Sequence, residues 1–472
     1  VKKRLTIAES IQLAREWMQG GHYGNAEAIC RAILQLAPQQ AEPHRLLGLV
    51  AHSQGEFDQA IACLRQALSL DPQSAEGWDN LCAVYGTRGD FAAAEQAVRQ
   101  ALAIRPRFAE AESNLGSLLK AMGRLEEAVA AYGRALTIRP MFAEAECNLA
   151  NVLHQLGHRD EAIRAYRRAL VIRPQYADAV HNLGTVYREQ GDHEQALVSF
   201  NSALAIKPDF PEALFHRGGL LHSVGRYEEA VADFRQVLAV RPQYAEAENS
   251  LGTALQAMRH LDAAMQAYQR ALVLRPQYPE AENNLATVLQ YGGHFEAASQ
   301  CYQRALAIRP QFPEAENNLG TSLQSQGRIA EAKDAYLRAL AMRPTLADAR
   351  SNLFANYQCQ PGMTWETLYH AHQEWDTLHA AKFREEWRPF EQSREPGRKL
   401  RVGFLSSDFG FHPVGFFLAG FLEHVDRDAF EMVCYSDRTT ADELTHRIKN
   451  VATEWHETRG LPASRATRSP RS

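Results

Sequence analysis

Small and apolar residues recur along most of this chain with a period of 34. Ala26, Ala60, Ala94 and every 34th residue on to Ala332 are alanine, which marks a place where two helices approach too closely for a larger side chain. Leucine holds a second phase from Leu13 to Leu183 and again from Leu251 to Leu353, on the first helix of each unit. Glycine closes that helix at Gly55, Gly89, Gly123, Gly157, Gly191, Gly225, Gly293 and Gly327, where a left-handed cap needs no Cβ. Proline, from Pro38 to Pro344 at the same step, follows the second helix and cannot continue it. Each unit is therefore predicted to be a helix–turn–helix. The charges are phased too. An acid opens each first helix (Glu42, Glu76, Glu110, Glu144 and onward), and a base precedes most phased prolines (Arg105, Arg139, Arg173, Lys207 and onward). That placement complements the helix macrodipole.

The period and the unit are those of the tetratricopeptide repeat, and the resemblance covers about residues 5–357. Such units bury their apolar faces only against neighbours, so the expected architecture is a superhelical solenoid with an extended concave surface that binds polypeptide. One polar row stands immediately before the phased leucine: Asn80, Asn114, Asn148, Asn182, Asn284, Asn318 and Asn352. A side-chain amide offers a donor and an acceptor and can hold a peptide backbone without reading its sequence. Duplication is the competing explanation, because Ala281–Leu285 and Ala315–Leu319 are near copies. One unit departs from the pattern, with His216 for asparagine and Arg217 for leucine. A guanidinium in that seam must snorkel or find an acid. The sequence predicts a soft point there, relieved by Arg217→Leu with a rise in melting temperature.

The register ends after Leu353, where the phased small position becomes Phe354. Residues 358–397 read as a helical connector, with an amphipathic helix over Trp365–Ala380. Its His370, His372 and His379 lack the i, i+4 spacing that a helical zinc site favours, and no metal site is expected. His154 and His158 fare no better. From Lys399 the pattern changes to strand Leu400–Leu405, loop Ser406–Pro413, apolar helix Val414–His424, strand Phe430–Tyr435 and helix Ala441–Trp455. Strand–helix–strand–helix opens a parallel, Rossmann-like sheet. Ser406, Ser407, Asp408 and His412 then fall on its ligand-binding edge. No GxGxxG and no P-loop accompanies them.

Composition narrows the class. The 472 residues are 45% hydrophobic and 23% charged, with net charge −5, which excludes a disordered chain and argues against a broad basic face for nucleic acid. The seven cysteines show no CxxC pair or zinc spacing, so a reducing compartment is expected. The longest apolar or glycine run, Val414–Leu422, is far too short to cross a bilayer, and no apolar stretch follows the basic start. A cytoplasmic protein with no nucleic-acid or membrane partner is the expectation.

The run from Arg401 to Pro413 (RVGFLSSDFGFHP), followed by Phe430–Tyr435, resembles the start of the catalytic region of protein O-GlcNAc transferases. In that family a tetratricopeptide superhelix precedes a two-lobed glycosyltransferase that moves N-acetylglucosamine from UDP-GlcNAc to serine or threonine. The resemblance implies a mostly α chain: a solenoid, a connector over 358–397, a partial α/β glycosyltransferase segment over 398–461 and an irregular basic tail over 462–472. It makes His412 the candidate catalytic residue and the asparagine row the acceptor-peptide site. UDP-GlcNAc is the implied donor substrate, and no further cofactor is implied. The resemblance to the catalytic region stops near Leu461, so the sequence reads as cut short or out of frame there. The expectation is a chain that binds polypeptide but transfers no sugar alone. A non-catalytic interaction scaffold is the alternative, and the oligomeric state is open.

Overall fold

The computed structural model describes residues 5–458 apart from 361, 382–383, 385–396 and 439. The side chain of His379, the end of the expected catalytic segment and the basic tail lie outside the described residues. The chain divides into two compact units, residues 1–379 and 380–472. The first is all helical. It runs in antiparallel pairs from α1 (Ile7–Gln19) and α2 (Tyr23–Leu36) to α19 (Pro313–Ser325) and α20 (Ile329–Met342). Two further helices close it, α21 (Ala347–Gln358) and α22 (Trp365–Trp375).

The phased residues explain the pairs. Every alanine of the Ala26–Ala332 series is fully buried. Across the same seam Tyr268 is fully buried against Gly252, where a Cβ would stand 2.6 Å from the ring. Burying one such large side chain stabilises by about 1.5–3 kcal/mol. The turn glycines from Gly55 to Gly327 have φ between 75° and 88°. At the one phase without glycine, Arg259 takes φ 63° and carries the strain of a side chain in that region.

The phased charges do more than complement dipoles. Seven of the opening acids, Glu76, Glu110, Glu144, Glu212, Glu246, Glu280 and Glu314, pair with the base that closes the same helix pair, as in Glu76–Arg105 and Glu212–Arg241 at 2.6 Å. These bridges are exposed and individually worth little. A second set is deeper: Glu112–Arg134, Glu146–Arg168, Glu248–Arg270, Glu282–Arg304 and Glu316–Arg338, at 2.7–2.9 Å with each glutamate buried. In the two intervening pairs both partners are replaced together, by Val180 with Ser202 and by Leu214 with Gln236. A buried acid without its arginine is costly, so the two positions change as one.

Arg217 corrects the expectation of a soft point. Its Nε donates to Asp233 at 2.8 Å, one Nη to the second oxygen of Asp233 at 2.6 Å, and the other to Asn201 at 2.7 Å. Asp233 is 4% exposed. The guanidinium neither snorkels nor strains the seam; it is the fork-shaped partner of a buried carboxylate.

Past α20 the array is closed by substitution at the same phases. Phe354 fills the small position and packs on His372, ring centroids 4.5 Å apart. Arg350, at the phase of the buried glutamates, reaches Glu374 of α22 at 3.0 Å.

The second unit is a parallel sheet of β1 (Leu400–Ser406), β2 (Phe430–Ser436) and β3 (Glu454–Glu457), in the order β1-β2-β3. Helices α23 (Pro413–His424) and α24 (Glu443–Val451) make the crossovers and pack on each other. Its core gathers Phe409, Ala419, Leu422, Met432, Cys434, Leu444 and Ile448. The expected second helix is too long: it ends at Val451, and Trp455 lies in a third strand. That strand is fixed by contacts remote in sequence, Trp455 against Phe409 and His456 stacked on Tyr435. No helix among the described residues is long and apolar enough to cross a membrane.

Candidate functional site

Successive first helices touch each other all along the array, and no comparable contact joins successive second helices. The first helices therefore form the inner wall, and the asparagine row lies along them. Asn80, Asn114, Asn148, Asn182, Asn284, Asn318 and Asn352 are all half-buried. What the sequence did not reveal is their partner row, one residue earlier in the preceding unit. Asn114 Nδ2 donates to Asp79 at 2.8 Å, Asn284 to Asn249 and Asn318 to Asn283 at 3.1 Å, and Asn352 to Asn317 at 3.0 Å.

In the C-terminal half the two rows join into one chain of amides. Asn317 Nδ2 donates to Asn318 at 3.3 Å and Asn283 Nδ2 to Asn284 at 3.4 Å, linking the steps above from Asn352 back to Asn249. Asn284 and Asn318 each spend one N–H and one lone pair within the protein. One of each is left for a ligand. The adjacent asparagines of the near-copied units were the visible signal for this second row.

Toward the N-terminus the pattern changes. Asn182 donates to Asn151 at 3.0 Å, which also accepts from the Tyr166 hydroxyl. Asn148, whose counterpart one unit back is Ser113, makes no such bond. Asn80 has Arg45 at the partner phase, and its Nδ2 is buried without a partner. Beside it, burial pushes the Asp79 carboxyl up to about 6, with the Asn114 hydrogen bond acting against the shift.

In the second unit the loop after β1 lies at the C-terminal edge of the parallel strands. His412 is the N-cap of α23: its Nδ1 accepts from the Val414 amide at 3.3 Å and lies 3.7 Å from Asp408. With Nδ1 accepting, the neutral imidazole carries its proton on Nε2 and offers a donor there. Gly410 and Gly415 permit the tight turn; a Cβ on Gly415 would stand 2.2 Å from the Gly410 carbonyl oxygen. Arg438 and Asp442, which the sequence reading passed over, tie this loop to the one after β2. Asp442 accepts from the Phe411 amide at 2.8 Å and from Arg438, which also donates to the Thr440 carbonyl at 2.6 Å. Desolvation alone would raise the Asp442 carboxyl, but the Phe411 and Thr445 hydrogen bonds and Arg438 hold it down to about 2. Ser406 and Asp408 are joined by the Asp408 amide, 2.9 Å from Ser406 Oγ. Beside β1, Phe404, Leu405, Phe409, Phe417, Leu418 and Phe421 line an open apolar cleft of about 590 Å³.

Known families match the two parts separately. Tetratricopeptide repeat families match residues 141–209, 217–279 and 317–343, and a TPR repeat family matches 48–89, 116–157 and 289–327. Glycosyl transferase family 41 matches residues 373–459. The chain is similar to tetratricopeptide-repeat O-GlcNAc transferases. Among plant relatives, the protein of Solanum lycopersicum described as a probable UDP-N-acetylglucosamine–peptide N-acetylglucosaminyltransferase SPINDLY is 31% identical over 85 residues, and that of Arabidopsis thaliana 27%. The match spans 18% of this chain and 9% of the length of each of these relatives. Of solved structures, a mutant O-GlcNAc transferase of Thermobaculum terrenum is 26% identical, covering 47% of this chain and 42% of that one, with a TM-score of 0.41. The match to family 41 takes in the last residues of α22 and the whole three-stranded sheet, so His412, Arg438 and Asp442 all belong to the family 41-like segment.

Proposed function

We propose that this chain serves protein glycosylation, its repeats holding an extended acceptor polypeptide for a family 41-type transfer of N-acetylglucosamine from UDP-GlcNAc to serine or threonine. The observation that carries the reading is the amide chain from Asn352 to Asn249, on the inner wall of repeats that precede a family 41-like segment. Amides locked by one another at fixed intervals present their remaining donors and acceptors without further ordering, which lowers the entropic cost of binding. Contacts to backbone rather than side chains suit an enzyme with many acceptors. In the second unit, His412 is proposed to act through its Nε2–H as a hydrogen-bond donor to an oxygen of the donor sugar or the acceptor. Arg438 and Asp442 act as positioning residues that hold the loop carrying it.

Peptide binding tests the reading. Replacing Asn114, Asn182, Asn284 and Asn318 together by alanine keeps helix propensity high. Affinity for a panel of unstructured serine- and threonine-containing peptides, measured by fluorescence anisotropy, should fall about tenfold or more across the panel, as expected for several lost hydrogen bonds. Unchanged affinities would reduce the row to a structural seam between repeats.

A further inference from the structure

The amide row is interrupted once, and the interruption has its own chemistry. Over three successive first helices, Ala177–Glu189, Pro211–Ser223 and Ala245–Ala257, the inner wall loses part of its polar pattern. Val180 and Leu214 replace the buried glutamates, Phe215 stands where the flanking units carry His181 and Asn249, and His216 and Ser250 replace the row asparagines. In their place is an aromatic cluster. Phe215 packs on Tyr244 with ring centroids 5.2 Å apart and on Phe234 at 5.9 Å, while His181 lies 5.0 Å from His216 and 5.1 Å from Phe210. Phe210 and His181 are buried, whereas Phe215, His216 and Tyr244 are only half-buried and keep an open face.

The hydrogen bonds fix what that face offers. His181 Nδ1 lies 3.2 Å from Asn182 Oδ1, an acceptor, so it carries a proton, and His181 Nε2 then accepts from His216 Nδ1 at 2.9 Å. His216, whose Nδ1 also lies 3.5 Å from Thr185 Oγ1, is left with an Nε2 lone pair that has no partner among the described residues. The interrupted step thus presents ring surface and one bare acceptor, between Asn182 on one side and Asn284 on the other.

We propose that residues 177–244 form an apolar subsite within the groove that takes an aromatic side chain of the bound polypeptide, tyrosine fitting best because its hydroxyl can donate to His216 Nε2. The inference rests on the groove holding extended polypeptide, as proposed above. The occupant follows from continuity: a chain held by backbone contacts at Asn182 and at Asn284 must cross this step, and here only its side chains find complementary surface. Aromatic rings favour offset and edge contacts at the separations seen within this cluster. The subsite would add sequence selectivity to an otherwise sequence-tolerant groove.

The test uses the whole chain and matched unstructured peptides that differ only at one central position, tyrosine, phenylalanine or serine. The aromatic peptides should bind about five- to tenfold more tightly than the serine peptide, the scale expected from covering part of one ring. Phe215→Asn/His216→Asn, which copies the Asn283–Asn284 step, should abolish that difference and leave binding of the serine peptide intact. An aromatic preference that survives the double replacement overturns the subsite while leaving the groove reading standing. No binding of any peptide by the unaltered chain overturns the groove reading, and the subsite with it. A tyrosine-position photo-crosslinker on the unaltered protein guards against misfolding of the variant. Adducts should map to residues 177–250, and adducts confined to other repeats overturn the proposal.

Discussion

Replacing Arg217 by leucine would restore the leucine that nearly every other unit carries at this phase, and sequence alone expects the protein to gain stability. The structure predicts the opposite. Asp233 is 4% exposed and receives two hydrogen bonds from Arg217, so Arg217→Leu leaves a buried carboxylate with neither neutralisation nor donors. Breaking a buried pair in this way costs about 3–5 kcal/mol. The double variant Arg217→Leu/Asp233→Ala reproduces the seam of Leu251 with Ala267 and Leu319 with Ala335, all four buried. It should return to within about 1 kcal/mol of the parent or exceed it, since apolar replacement of a buried pair is often neutral or stabilising. Repeat arrays open piecewise. The assay is therefore hydrogen exchange across residues 211–240 alongside urea unfolding, for the parent, both single variants and the double variant. An Arg217→Leu protein as protected as the parent, with a coupling energy near zero, would refute the reasoning.

Three further outcomes follow from single residues. Asp79→Asn should stabilise the chain by up to about 3 kcal/mol at neutral pH, because the folded carboxyl is raised from 3.8 to about 6 and its burial penalises the ionised form. The gain should be full above pH 6 and absent below about pH 4, as pH-dependent denaturant midpoints will show. Arg259→Gly should stabilise by about 1 kcal/mol in thermal unfolding, since φ 63° suits glycine better than any side chain. Gly415→Ala should cost about 3 kcal/mol or more in the α/β unit alone, because the added Cβ meets backbone oxygens of Gly410 and Asp408 that cannot rotate away. Hydrogen exchange of residues 400–458 should rise while that of the repeats stays unchanged.

Much of this molecule was legible in one dimension. A 34-residue period forces each helix pair into the same environment as the next, so Ala26 to Ala332, the turn glycines and the closing prolines each announced their role by recurrence. The two strands β1 and β2 were legible because each is a short apolar run, although only β2 is buried and β1 lies at the edge of the sheet. β3 was not: Glu454–Glu457 is polar, and only its register beside Val433–Ser436 and the contacts of Trp455 and His456 make it a strand. Recurrence also has a blind side, since it shows which positions matter without showing what they touch. Most of the phased acids and bases proved to be each other's partners, and four asparagines of the row proved to be bonded to a second row one residue earlier in the preceding unit. Arg217 looked like a defect because its remedy, Asp233, lies on the neighbouring helix. The sequence could determine which residues repeat, because helix spacing is a local property of the chain. Only tertiary structure could decide which lone pairs and protons were already spent, because hydrogen bonds between units depend on how one repeat is stacked upon the next.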